Sequence, residues 1–390
     1  MRNTCHHNSL ELSLFLTVGI IILLLLFSLG NPNIAAITAT TEQTKKISPY
    51  MITTREGIDY EGIQEPGYNN NYSFLDIDQL TQLSCPEEIV IFVHGWGADE
   101  NEAKERFDRV KLSLEKNNYT HPLVGFSWDS DQAWLSAKFV AKDNGPLLAK
   151  FIVDTMNKCK QQQLGEVKIR LIAHSLGARV VLSSLDSLNK NQTWNNGNFT
   201  IASVHLMAAA VDDEEVSMYP KDILNDLTNW GSPKSDYGRA IQEEVIKFDN
   251  LFSIKDNVLE PNLTNPFYPF QIYPSFEADR ALGQNGYQKV PKYQDLKELK
   301  SLPGNYDEKD VQNEIAAICD ADADGNPDLP FSIGQTITMG DNHGGYIGYR
   351  DIADKSRITH DGTINIVVDN WNNKTTTITA KQSLNMMGIC

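Results

Sequence analysis

Positive charge is scarce in this chain. Its 390 residues include 34 lysines and arginines against 51 aspartates and glutamates, a formal net charge of −17. A field of that sign repels polyanions, which argues against nucleic acid as a partner and against tight docking on anionic headgroups. Cysteine is also sparse: there are five, with no C-x-x-C pair and no spacing that would ligate zinc. No internal repeat is present. What remains is 41% hydrophobic residues, enough for a core of ordinary size in one large α/β domain with insertions or in two smaller domains.

The long uncharged run LSLFLTVGIIILLLLFSLG, from Leu12 to Gly30, is about long enough to cross a bilayer. A short head with Arg2, His6 and His7 precedes it, and NIAAITATTE follows, where Ala39 with Ile37 two positions earlier makes a cleavage site. Residues 1–39 therefore read as a cleaved signal peptide or an uncleaved anchor. Either places the rest of the chain outside the cytoplasm, secreted or tethered to a membrane through residues 12–30. A buried core helix is the competing reading, but so uniform a run beside the N-terminus rarely packs inside a globule. Past Cys5, the cysteines Cys85, Cys159, Cys319 and Cys390 form an even set that allows two disulfides in three pairings.

Residues 40–84 read as a polar spacer with edge strands such as SPYMITT. From Glu88 a regular alternation begins. EIVIFV is a strand, and NEAKERFDRVKLSLEKN has helical spacing with Phe107, Val110 and Leu114 on one side. HPLVGFSW is a second strand, and residues 131–162 read as helix broken at Asn144-Gly145-Pro146. VKIRLIA, FTIASVHLMAA and EEVIKFDNLFSI supply three more strands, with the helix LGARVVLSSLDSL after the first of them. Buried strands alternating with helices predict a mostly parallel sheet covered on both faces, with ligands at the carboxyl ends of its strands.

The unusual residues fall at those ends. Ala173-His174-Ser175-Leu176-Gly177 lies between a buried strand and an amphipathic helix. A serine there is either a helix N-cap or a nucleophile. Small residues around it fit a turn so tight that flanking backbones nearly touch, with the hydroxyl lifted clear of the sheet. Upstream, IVIFV runs into His94-Gly95-Trp96-Gly97, the expected place for a second oxyanion donor. The two amides would be those of Trp96 and Leu176, and His94 reads as a ring that holds the loop in shape.

In FVHGWGAD and LIAHSLGARVV the chain resembles the α/β-hydrolase superfamily, closest to its lipase and esterase-like members. The resemblance runs from about Glu88 to His343. It implies an α/β-hydrolase fold and a catalytic order of serine, acid, histidine, so an acid and a histidine are needed downstream of Ser175. Asp256, after the apolar strand in FSIKDNVLE, is the preferred acid; Asp212 and Asp213 in AAAVDDEE are the competitors, and a turn-forming aspartate is the bland reading. His343 in GQTITMGDNHGGYIG is the preferred base, with His360 in THDG as the alternative. The expected organisation is residues 1–39 as signal or anchor, 40–84 as spacer and edge strands, 85–345 as the hydrolase domain with an insertion at about 260–333, and 346–390 as a C-terminal β extension.

The interval from Asp256 to His343 is long for adjoining strand ends, hence the insertion. It holds the aromatic run NPFYPFQIYPSF, which either rims an apolar pocket or packs on its own domain. It also holds Asp320, Asp322, Asp324 and Asp328 around a glycine turn, the spacing of a structural Ca²⁺ loop, or else a solvated acidic loop. TINIVVDNW and TTTITA read as short C-terminal strands. The leading expectation is an extracytoplasmic serine hydrolase acting on small-molecule or lipid carboxylic esters, needing no cofactor for catalysis. The competing one is a surface or adhesion protein that keeps the fold without turnover.

Overall fold

Eight strands build the main sheet. In chain order the strands are β1 (Pro49–Thr53), β2 (Ser73–Phe74), β3 (Glu88–Val93), β4 (Leu123–Ser127), β5 (Lys168–His174), β6 (Ile201–Met207), β7 (Phe248–Phe252) and β8 (Tyr306–Asp310). The computed structural model describes residues 46–55, 72–74, 85–162, 167–218, 237–254, 256, 258–259, 281–287, 302–311, 315–317, 336–338, 343–350 and 354–372. All lie in the second of two units into which contacts divide the chain, Lys45–Cys390. The sheet order is β2-β1-β4-β3-β5-β6-β7-β8. Only the β1–β2 pair is antiparallel; every other neighbouring pair is parallel. In β3 and β4 every residue is buried, as strands covered on both faces require.

Helices α1 (Glu100–Lys116), α2 (Trp134–Gln161) and α3 (Gly177–Asn189) follow β3, β4 and β5. A capping box starts α1: the Asp99 carboxylate accepts from the Glu102 amide while the Glu102 side chain accepts from the Asp99 amide. Phe107, Val110 and Leu114 of α1 are buried, the face expected from their spacing.

The break expected in α2 does not occur. The helix runs unbroken through Pro146, which cannot donate to the carbonyl of Lys142 one turn earlier. That carbonyl accepts instead from the Ser183 hydroxyl of α3 at 2.7 Å. Gly145 makes the approach possible, since a Cβ there would lie 2.4 Å from Ser183 Cβ.

Short helices α4 (Gln192–Gly197), α5 (Gly238–Glu244) and α6 (Leu282–Asn285) complete the middle of the chain. The expected insertion is not wholly an excursion. Its α6 donates the Leu282 and Gly283 amides to Val211 and Ala209, and β8 extends the main sheet beside β7. Its described residues also include β9 (Ile315–Ala317), which pairs with β10 (Thr336–Thr338) just past the expected end of the insertion.

The C-terminal segment is not all β. After the pair β11 (Tyr349–Arg350) and β12 (Ile358–His360), residues Ile364–Trp371 form helix α7, where a strand was expected. Ile364, Val367, Val368 and Trp371 recur at helical spacing, and that periodicity outweighs the β-branched composition. The Trp371 indole donates to His205 Nε2 in β6 at 2.6 Å, tying the helix to the sheet. TTTITA, the aromatic run 265–276 and residues 12–30 lie outside the described residues. Among the described residues no helix is long and apolar enough to cross a membrane.

Candidate active site

Because the central strands are parallel, the residues that follow β3, β5 and β7 meet along one edge of the sheet. Ser175 follows β5 directly and has φ = +54°, a left-handed conformation that a residue with a Cβ adopts only when its surroundings compel it. The compulsion is visible in its neighbours. A Cβ on Gly95 would lie 2.6 Å from Ser175 Cβ, and one on Gly177 would lie 2.5 Å from the carbonyl oxygens of Val93 and His94. Both positions must be glycine for the turns after β3 and β5 to pass this closely.

Ser175 is not a helix cap. The N-cap of α3 is Leu176, no side chain caps that helix, and the Ser175 hydroxyl makes no hydrogen bond among the described residues. The serine's backbone is pinned instead: its amide donates to Met207 at 3.0 Å and its carbonyl accepts from Ala178 and Ala210. The Leu176 amide finds no acceptor among the described residues, which leaves a donor at the start of α3 beside the hydroxyl.

Asp256 and His343 are brought together. His343 Nδ1 lies 2.8 Å from Asp256 Oδ2, with the carboxylate fully buried and the ring partly exposed. The other carboxylate oxygen, Oδ1, accepts from the amides of Val258 and Leu259 at 3.1 and 3.2 Å, so the turn after β7 aims the group. His343 opens a 3-10 turn, His343–Ile347, and its carbonyl accepts from His174 Nε2 at 2.8 Å. The two rings stand 4.9 Å apart, which places His343 against the residue preceding Ser175. Burial and the nearby His343 ring drive the His174 pKa well below the usual imidazole range, so it donates from a neutral ring.

The competitors sit elsewhere. Asp212 and Asp213 lie before and within the turn Asp213–Val216, where buried Arg179 pairs with Glu215 at 2.8 Å. His360 ends β12, and its Nδ1 accepts from the Gly362 amide at 3.0 Å. Asp320, Asp322, Asp324 and Asp328 lie outside the described residues. Among the described residues no cluster of three or more ligating side chains could hold a metal.

The turn after β3 carries the other half of the site. His94 is buried and its Nδ1 donates to the Gly95 carbonyl at 2.9 Å, while its Nε2 accepts from the Trp128 amide at 3.2 Å. Burial, reinforced by Arg55 and Arg106, lowers its pKa to about 3 and keeps the ring neutral. Arg106 of α1 donates to the carbonyls of Gly95, Trp96 and Gly97 at 3.3, 3.0 and 3.2 Å. Arg55 donates to those of Ala98 and Asp99. Sequence reasoning missed these arginines and His174. Nothing in a polar helix face marks Arg106 from its neighbours, Arg55 stands in a turn just past β1, and His174 stands in a motif position open to many residues.

Residues 76–260 match the model of a family described as "Alpha/beta hydrolase of unknown function (DUF900)". The chain has the α/β-hydrolase fold. Two solved structures that the chain matches are a cutinase-like protein from Cryptococcus sp. and phospholipase PlaB from Legionella pneumophila in complex with thio-NAD. The first is 14% identical with a TM-score of 0.21, over 35% of this chain and 58% of that one. The second is 14% identical with a TM-score of 0.24, over 44% of this chain and 39% of that one. The chain thus spans less than two thirds of either. No curated protein matches it.

Proposed function

We propose that this α/β-hydrolase is a serine hydrolase that cleaves carboxylic esters outside the cytoplasm. The observation that carries the reading is the 2.8 Å contact between His343 and a fully buried Asp256, beside a serine held at φ = +54° whose hydroxyl caps nothing. In this reading Ser175 Oγ attacks the ester carbonyl while its proton passes to His343 Nε2. Asp256 holds the opposite nitrogen protonated and stabilises the imidazolium. The amides of Trp96 and Leu176 receive the developing oxyanion. Collapse of the tetrahedral adduct expels the alcohol, which takes the proton from His343. A water activated by the same ring then frees the acid from the acyl-enzyme.

Location is supported by the apolar run at residues 12–30 and by a disulfide between Cys85 and Cys159, a bond that persists in oxidising compartments. No step draws on a cofactor; calcium, if the Asp320–Asp328 loop binds it, serves structure alone. A fluorophosphonate probe is expected to label the protein, and Ser175→Ala to abolish the label. Labelling that survives the substitution rules this reading out. A series of p-nitrophenyl esters of rising chain length, run with and without a calcium chelator, then separates esterase from lipase preference and shows whether the metal matters to rate.

A further inference from the structure

Arg106 and Arg109 lie one turn apart on α1 and grip two different loops. Arg106 takes the carbonyls of Gly95, Trp96 and Gly97 after β3. Arg109 takes those of Gly348 and Gly344, at 2.8 and 2.7 Å, from the opposite ends of the turn that begins at His343. We propose that these two arginines are positioning residues that hold the oxyanion turn and the histidine loop at a fixed separation over Ser175. The proposal rests on the triad reading above.

Peptide geometry explains why gripping a carbonyl matters. Across a trans peptide the Gly95 C=O and the Trp96 N–H point in opposite directions. Two donors, Arg106 and His94 Nδ1, converge on that carbonyl, so together they fix where the Trp96 amide points. An oxyanion donor works only when aimed before the charge develops. On the other loop, His174 holds the His343 carbonyl and Arg109 the next one along, Gly344. The ring therefore turns on a backbone anchored from two sides.

The helix carrying both arginines is itself fixed. Between them Phe107 packs on Gly125 of β4 so closely that a Cβ there would lie 2.6 Å from the ring. The capping box closes the first turn of α1, and Arg109 draws further support from Glu105 at 3.8 Å and from the face of Tyr349. A bidentate fork reaches several carbonyls at once, which an ammonium does less well.

The test is the rate of fluorophosphonate labelling, with ester kinetics, in full-length Arg106→Ala and Arg109→Ala proteins. Each is expected to label about 100-fold more slowly, the cost of a misplacement near 1 Å remote from the chemistry. The loss should fall on kcat with KM little changed, and guanidinium ion added at millimolar levels should restore part of it. Arg109→Ala should also displace the limb of the pH–rate profile that reports the base, which a merely structural residue leaves in place. If either alanine protein fails to fold, the methionine variants keep the side-chain stem and replace it in the same assay. Folded variants that label at the parental rate, or a loss confined to KM, would overturn the proposal while the triad stands. A parental protein that never labels overturns the triad reading instead.

Discussion

Asp256 is wholly buried, yet two amides and an imidazole share its carboxylate, so its charge is satisfied where it sits. Asparagine would keep the amide bonds through its carbonyl and turn an NH₂ toward His343 Nδ1. The ring would then carry its proton on Nε2, facing the serine as a donor. Asp256→Asn is therefore expected to slow labelling about 10⁴-fold with little change in thermal midpoint. A fall under tenfold would detach Asp256 from the chemistry.

His94 gives a residue-level prediction about pH. Its pKa is near 3 in the fold and near 6.5 in the open chain. Between those values only the unfolded chain binds the proton, so stability is full above pH 6.5 and declines as pH falls. The slope from this group is about 1.4 kcal/mol per pH unit. His94→Asn removes that slope, so the gap in urea midpoint between parent and variant should narrow from pH 6.5 to pH 4.5. A constant gap would mean that the ring is protonated in the fold.

At this scale Ser175, Asp256 and His343, the residues of the proposed triad, could be singled out because such chemistry demands particular side chains in a particular chain order, and the fold sets two of them, Asp256 and His343, in contact. Arg106, Arg109 and His174 act on backbone carbonyls, and a carbonyl leaves no mark on a sequence.

Among elements, α2 shows why a proline signal misled. The sequence shows the missing N–H at Pro146 but not the replacement donor, which comes from Ser183 on α3. Ser183→Ala should cost about 1–2 kcal/mol in urea unfolding, because it leaves a part-buried carbonyl without its donor. In a Pro146→Ala background the restored amide reclaims that carbonyl, so the same substitution should cost about 1 kcal/mol less. Strict additivity in this cycle would show that the hydroxyl and the proline do not share the Lys142 carbonyl.

Strands β3 to β6 were legible because strands buried on both faces read as largely apolar runs, whereas β7 carries Asp249 and Asn250 within its buried stretch. β8 was not: YDEKD is an edge strand, recruited by pairing with β7, and its residues are half-buried or exposed. β1, read as an edge strand in SPYMITT, is a strand but lies second from the edge and pairs in parallel with β4.

At the scale of the whole molecule, a covalent link among the described residues joins distant parts of this architecture. Cys85 stands just before β3 and Cys159 in the last turn of α2, 74 residues apart. The closed loop contains the oxyanion turn, α1, β4 and nearly all of α2. The sequence allowed this pairing among three; what selects it is the fold, which sets the two Cα atoms 5.3 Å apart. In a chain-entropy account the bond acts on the unfolded state, so the double variant Cys85→Ser/Cys159→Ser should lose about 2–4 kcal/mol in urea unfolding. The folded site is held separately, by the arginine and histidine contacts to backbone carbonyls. Below the unfolding transition, the double variant should accordingly label with fluorophosphonate at the parental rate. A slower label in folded protein would mean that the disulfide also sets the geometry of the oxyanion turn, and that α1 and its arginines do not hold that turn by themselves.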